Sequence, residues 1–277
     1  MKAQRNQRGH RHIGQRRILL LSVNSLSLAS VLIVNILSQT LPMNGLRIKE
    51  ISDFYVNMLV PSPGTFAIWG VIYALLILNQ IYQGVVSISQ NRGDILEGIG
   101  FALIPVHLLN ILWLVSWHYL YRYITASGIV MILLLMALVS LYRKVQRESE
   151  FLSERILVLL PVSMYLGWIM VATAVNLTSI FSSFAPMLYD TYATGITIGT
   201  MITVALVYAM VTSVNKDLWI SSVGLWALWG IFDRYREDMQ NAVLARTALI
   251  VLALLALIIL ITLIRKTRAV SDEDELF

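Results

Sequence analysis

The chain has 277 residues, of which 57% are hydrophobic and only 13% charged, with six prolines and no cysteine. A soluble domain carries about 25% charged residues, so half of the usual water-facing chemistry is missing and the composition specifies an integral membrane protein. Without cysteine there are no disulfides, thiolate metal sites, thiol catalysis or cysteine-held clusters. The isoelectric point of about 9.5 does not argue for nucleic-acid binding, because the basic residues sit at membrane edges and in a tail.

A span needs roughly 20 apolar residues, and long apolar runs occur at residues 18–38, 63–86, 99–121, 124–142, 156–181, 191–214, 218–232 and 242–264. The runs are continuous rather than alternating, so they predict helices and not barrel strands. The seventh is the shortest and carries Trp219, Trp226 and Trp229, which suit a short tilted span or an interfacial segment. Counting Lys and Arg on alternate sides puts fifteen on one side and six on the other of the chain's 21. Both termini are therefore expected in the cytoplasm. Residues 1–17 are too charged to span, and no small-residue cleavage site follows the next run, so 18–38 is expected to be a retained helix rather than a signal peptide. The end of the chain, with Asp272, Glu273, Asp274 and Glu275, reads as a solvated tail. A composition shift with Ser182, Ser183, Pro186 and Asp190 marks a boundary between five helices and three more.

Inside the second run, Pro61-Ser-Pro63-Gly64 predicts a rigid turn and helix start. Trp69, Tyr73, Leu76, Gln80 and Gln83 then recur at helical spacing, a polar and aromatic stripe better suited to protein or a cavity than to lipid. The third run holds Asn110 and Trp113, with His107 and His118 eleven residues apart on nearly one face. About 16 Å separates those histidines along the axis, too far to share one metal ion. The fifth run carries Trp168, Ala172 and Asn176 on one face, where the small Ala172 leaves room for a neighbouring helix or a flat ligand. No nucleophile beside a base, buried carboxylate pair or phosphate loop is visible.

Three segments in order, Pro61 to Tyr73, Asn110-x-x-Trp113 and Pro161 to Asn176, resemble the TspO/MBR family of translocator and tryptophan-rich sensory proteins, in its longer bacterial branch. The resemblance covers residues 18–181. It implies an all-α integral membrane protein with a TspO-like five-helix bundle at 18–181, three additional transmembrane helices at 182–264, about eight in all, and charged cytoplasmic tails at 1–17 and 265–277. Family members typically stop at five helices, and the tryptophan usual beyond the fifth-helix asparagine is replaced here by Leu177 to Ser183. The implied function is binding, sensing or transport of a flat hydrophobic ligand such as a tetrapyrrole or sterol. Its pocket would be lined by Trp69, Tyr73, Asn110, Trp113, Trp168, Ala172 and Asn176, with no required cofactor and a tetrapyrrole only as ligand. The alternatives are a secondary transporter, a structural subunit of a membrane complex and a tetrapyrrole-degrading enzyme, the last disfavoured by the lack of an acid, base or metal. Expected partners are the bilayer and a hydrophobic small molecule, with no nucleic acid; the additional helices offer a face for a homodimer or a membrane complex. The expected location is the bacterial inner membrane.

Overall fold

A computed structural model describes residues 2–88 and 94–274, and among them every regular element is helical. The helices are α1 (Lys2–Thr40), α2 (Ile48–Asp53), α3 (Ile68–Ile88), α4 (Asp94–Ile99), α5 (Leu103–Tyr119), α6 (Ile124–Glu148), α7 (Leu152–Glu154), α8 (Leu160–Phe184), α9 (Pro186–Asn215), α10 (Leu218–Tyr235) and α11 (Ala242–Asp274). Among the described residues six segments are long and apolar enough to cross a bilayer: Gly14–Gly45, Pro63–Ile88, Tyr121–Glu148, Leu152–Phe184, Pro186–Asn215 and Ala242–Arg265. This is a multi-pass all-α membrane protein. Helix α5 is apolar but shorter, and the weakly predicted seventh run forms α10, with 18 residues. Of the charges used for orientation, Arg92 lies outside the described residues, as does Glu275 of the acidic end.

The structure corrects two boundaries. The helix expected from residue 99 starts at Leu103, because Ile99 ends α4 and the chain turns at Gly100, whose φ of 60° is a left-handed conformation open to glycine. The helix expected from residue 156 begins earlier, in α7, and passes through a π-helical turn, Arg155–Leu159, into α8. The Glu154 carboxylate explains the earlier start by accepting the backbone N–H groups of Glu150 and Phe151 at 2.9 and 3.1 Å, which caps the orphan donors of the first turn.

The chain divides into two compact units, the first comprising Met1–Ile51 and Gly70–Val162 and the second Ser52–Trp69 and Ser163–Phe277. In the first, α1 and the turn after it are joined to α4, the Gly100 turn and α5 by a polar ladder: Arg17 to Glu97, Asn24 to the Gly100 carbonyl, Ser27 to His107, Asn35 to Asn110 and Asn44 to the His118 carbonyl. The sequence separation stays between 74 and 80 residues down the ladder, so the two helices advance in the same direction. Parallel neighbours need a returning element between them. Helix α3 provides it, and its Gln80 amide reaches α1 by donating to Ser25 Oγ at 2.8 Å and the Leu21 carbonyl at 3.3 Å. Helix α6 packs on α5 through a buried stripe of Gly128, Met131, Leu134, Leu138, Leu141 and Val145.

In the second unit α9, α10 and α11 pack on one another. Helix α11 buries Leu244, Ala248, Val251 and Leu255 at spacings of four, three and four, while Ile250, Leu254, Leu257 and Leu260 on its other side are exposed. That apolar outer face suits a lipid solvent, which imposes no penalty on exposed leucine. The Tyr208 hydroxyl of α9 donates to the Gly167 carbonyl of α8 at 2.6 Å. Tyr208→Phe is expected to cost about 1 kcal/mol in chemical unfolding of the purified protein; an unchanged midpoint would show that this bond contributes nothing net.

Candidate functional site

The Pro61–Gly64 turn leads into a 3₁₀ segment, Pro63–Ala67, that runs directly into α3. A 3₁₀ turn places residues three apart above one another, which sets Phe66 and Trp69 side by side. On α8, Tyr165 and Trp168 are also three apart and share a face. These two pairs meet. Phe66 and Trp168 have ring centroids 5.6 Å apart at 87°, Trp69 and Trp168 6.3 Å at 83°, and Trp69 and Tyr165 5.7 Å at 70°. Edge-to-face pairs of this kind contribute about 0.5–1.5 kcal/mol each beyond burial. Trp168 and Tyr165 are buried, whereas Phe66 is 41% exposed.

Trp69 and Trp168, both expected to line a pocket, are in direct edge contact, with no gap between the rings for a flat molecule. One turn on, Ala172 is half-buried, and the buried Asn176 amide donates to the Ala172 carbonyl at 2.9 Å. The other matched residues belong to the first unit. Asn110 is fully buried and accepts from the Asn35 amide at 2.9 Å; Tyr73 is half-buried. Trp113 packs against Trp117 with centroids 5.9 Å apart, and its buried indole N–H has no acceptor among the described residues.

The histidines have separate surroundings. Ser27 Oγ donates to the Asn24 carbonyl and so accepts from His107 Nδ1 at 2.9 Å, while His118 Nδ1 donates to the Leu114 carbonyl at 2.9 Å. Both Nε2 atoms are buried without a hydrogen-bond partner among the described residues. Among the described residues no group of three or more His, Cys, Asp or Glu is placed to hold a metal ion.

Several residues of the second unit escaped the sequence reading. Phe66 and Tyr165 complete the aromatic cluster; their signal was the three-residue spacing to each tryptophan. Asp217 is a buried acid at a helix end: it caps α10 by accepting from Trp219 N at 2.9 Å and receives the Ser163 hydroxyl at 2.7 Å. A cleft of about 430 Å³ opens between residues 52–60 and 234–241, lined in part by Asn57, Met58, Arg234, Tyr235, Asp238 and Asn241. There the Asn241 side-chain amide, with the backbone N–H groups of Asn241 and Gln240, holds the Asp238 carboxyl below its ordinary range. That contribution is present above the unfolded carboxyl's pKa of about 3.9 and is lost as pH falls through the lower folded value. A second cavity, about 30 Å³ and apolar, lies among Val171, Ala174, Met201, Tyr208 and Gly224. It has room for about one water molecule and lacks the polar partners that would hold one.

The family model of TSPO-like proteins matches residues 20–261, from α1 through most of α11 and including the last three helices. No curated protein and no solved structure matches.

Proposed function

We propose, from the premise that this chain belongs to the TSPO-like protein family, that it binds a flat hydrophobic molecule of the tetrapyrrole or sterol class within the membrane, as a binding or sensing protein rather than an enzyme. The observation that carries this reading is the four-ring cluster of Phe66, Trp69, Tyr165 and Trp168. Its rings meet edge-on in three pairs, so the ligand plane stacks where Phe66 is exposed or takes the place of that ring. Aromatic faces favour offset stacking with a planar π-system, and pockets of this kind need only a few polar groups to fix orientation. Asn176 is such a group beside Ala172.

The test is a tryptophan-fluorescence titration of purified protein with protoporphyrin IX, a sterol and an isoprenoid. Saturable quenching by at least the first is expected. Ala172→Leu should weaken that ligand about tenfold, equal to about 1.4 kcal/mol, with little change in melting temperature. Trp168→Phe, which keeps a ring, should cost less affinity than Trp168→Leu. If no probe gives saturable quenching, or if the three variants lose only stability, the binding reading is wrong.

The topology proposed with it is eight spans, five plus three, in a bacterial inner membrane with both termini cytoplasmic. The parallel course of α1 and α5, with α3 returning between them, supports three alternating crossings at the start. A reporter fused after Phe277 should be active only if it reads out in the cytoplasm; periplasmic activity there would remove this topology.

A further inference from the structure

The segment that delivers Phe66 and Trp69 makes few bonds of its own. Pro61 and Pro63 have no N–H; Thr65 N donates to the Ser62 carbonyl at 3.0 Å, and other carbonyls of the segment accept from α10. Trp226 Nε1 donates to the Thr65 carbonyl at 2.8 Å, Arg234 donates to the Val60 carbonyl at 2.6 Å, and the Tyr235 hydroxyl donates to the Met58 carbonyl at 2.9 Å. In the other direction, Ser62 N donates to the Gly230 carbonyl at 2.9 Å. Trp226, Gly230 and Arg234 are successive fours, one stripe of the helix, and their partners run back along the segment from residue 65 to residue 58. Asn57 secures the far end by donating to the Val175 carbonyl and Ser179 Oγ at 2.9 and 2.7 Å. Both acceptors lie on α8, the helix that carries Trp168.

We infer that the Trp226, Gly230, Arg234 and Tyr235 stripe is the positioning element of the aromatic site. It fixes main-chain atoms up to the residue before Phe66, and a shift of that turn moves Phe66 and Trp69 relative to Trp168. The inference rests on the ligand reading for its functional meaning, and on the hydrogen bonds alone for its geometry. It also gives α10 a duty within the family match: that helix holds the part of the segment next to the aromatic pair.

The experiment compares wild type, the double variant Arg234→Ala with Tyr235→Phe, and Leu244→Ala, a buried packing change in α11. The first readout is the near-ultraviolet circular dichroism couplet of Trp69 with Trp168, defined by the spectrum lost in Trp69→Phe. The second is the affinity for protoporphyrin IX. The double variant should lose half or more of the couplet and bind about tenfold more weakly, Arg234→Lys should retain most of both, and Leu244→Ala should lower the melting temperature while keeping the couplet. If the double variant does not fold, Tyr235→Phe alone removes a single oxygen and should still reduce the couplet. A retained couplet, or an equal loss in Leu244→Ala at matched stability, overturns the inference. Should wild type bind no protoporphyrin IX while the couplet still depends on Arg234 and Tyr235, the ligand reading falls and the positioning role stands.

Discussion

Gly230→Val is expected to destabilise the protein by about 3 kcal/mol, at the upper end of what overpacking costs. A Cβ at this position would overlap Thr65 Oγ1 and lie 2.8 Å from Thr65 Cγ2 and 2.9 Å from Pro61 Cβ. None of these atoms is the free end of a flexible side chain: one residue is β-branched, the other a proline, and Ser62 between them is tied to the Gly230 carbonyl. Relief therefore requires moving backbone. Gly230→Ala should cost less, because the better helix propensity of alanine returns about 1 kcal/mol. Gly199→Ala is the control, since nothing lies within 4 Å of a Cβ there, and it should be neutral or slightly stabilising. Chemical unfolding of the three variants decides the matter. Equal midpoints for the Gly230 and Gly199 variants would mean that α10 and the proline turn are not in the close contact described.

Asp217→Ala should cost about 2–4 kcal/mol, because it removes two things at once. The α10 N-cap is worth about 1 kcal/mol, and Ser163, fully buried, would be left with an unpaired hydroxyl at a further cost of about 1–3 kcal/mol. Asp217→Asn keeps its one amide oxygen as acceptor for the Trp219 N–H and turns its NH2 toward Ser163 Oγ, which can accept in place of donating, so it should cost less than half as much. A double-mutant cycle with Ser163→Ala separates the contributions: a coupling of about 1 kcal/mol or more is expected for groups in direct contact. Additive losses would show that the Ser163 bond carries no energy of its own.

The helices and their order were legible in the sequence, because a bilayer forces each span to satisfy its backbone internally and so leaves a continuous apolar run in the chain. The two misplaced boundaries, at Gly100 and at Leu152, lie where a single backbone conformation or a capping carboxylate decides the end, which hydropathy does not register. The nearness of Trp69 and Trp168 was legible because each sits at helical spacing from other matched residues. Their edge contact was not, since ring orientation depends on Phe66 and Tyr165 filling the neighbouring space. Least legible was the role of α10. Its apolar run, 218–232, read as the shortest span, yet donors on this helix hold the proline turn from more than 160 positions away. Those donors reach main-chain carbonyls, and every residue carries one, so no residue type on the receiving side marks the contact. The sequence by itself determined where the chain must be helical and apolar; which helix each polar side chain serves was decided only by the tertiary structure, because that choice depends on distances in space between groups far apart in the chain.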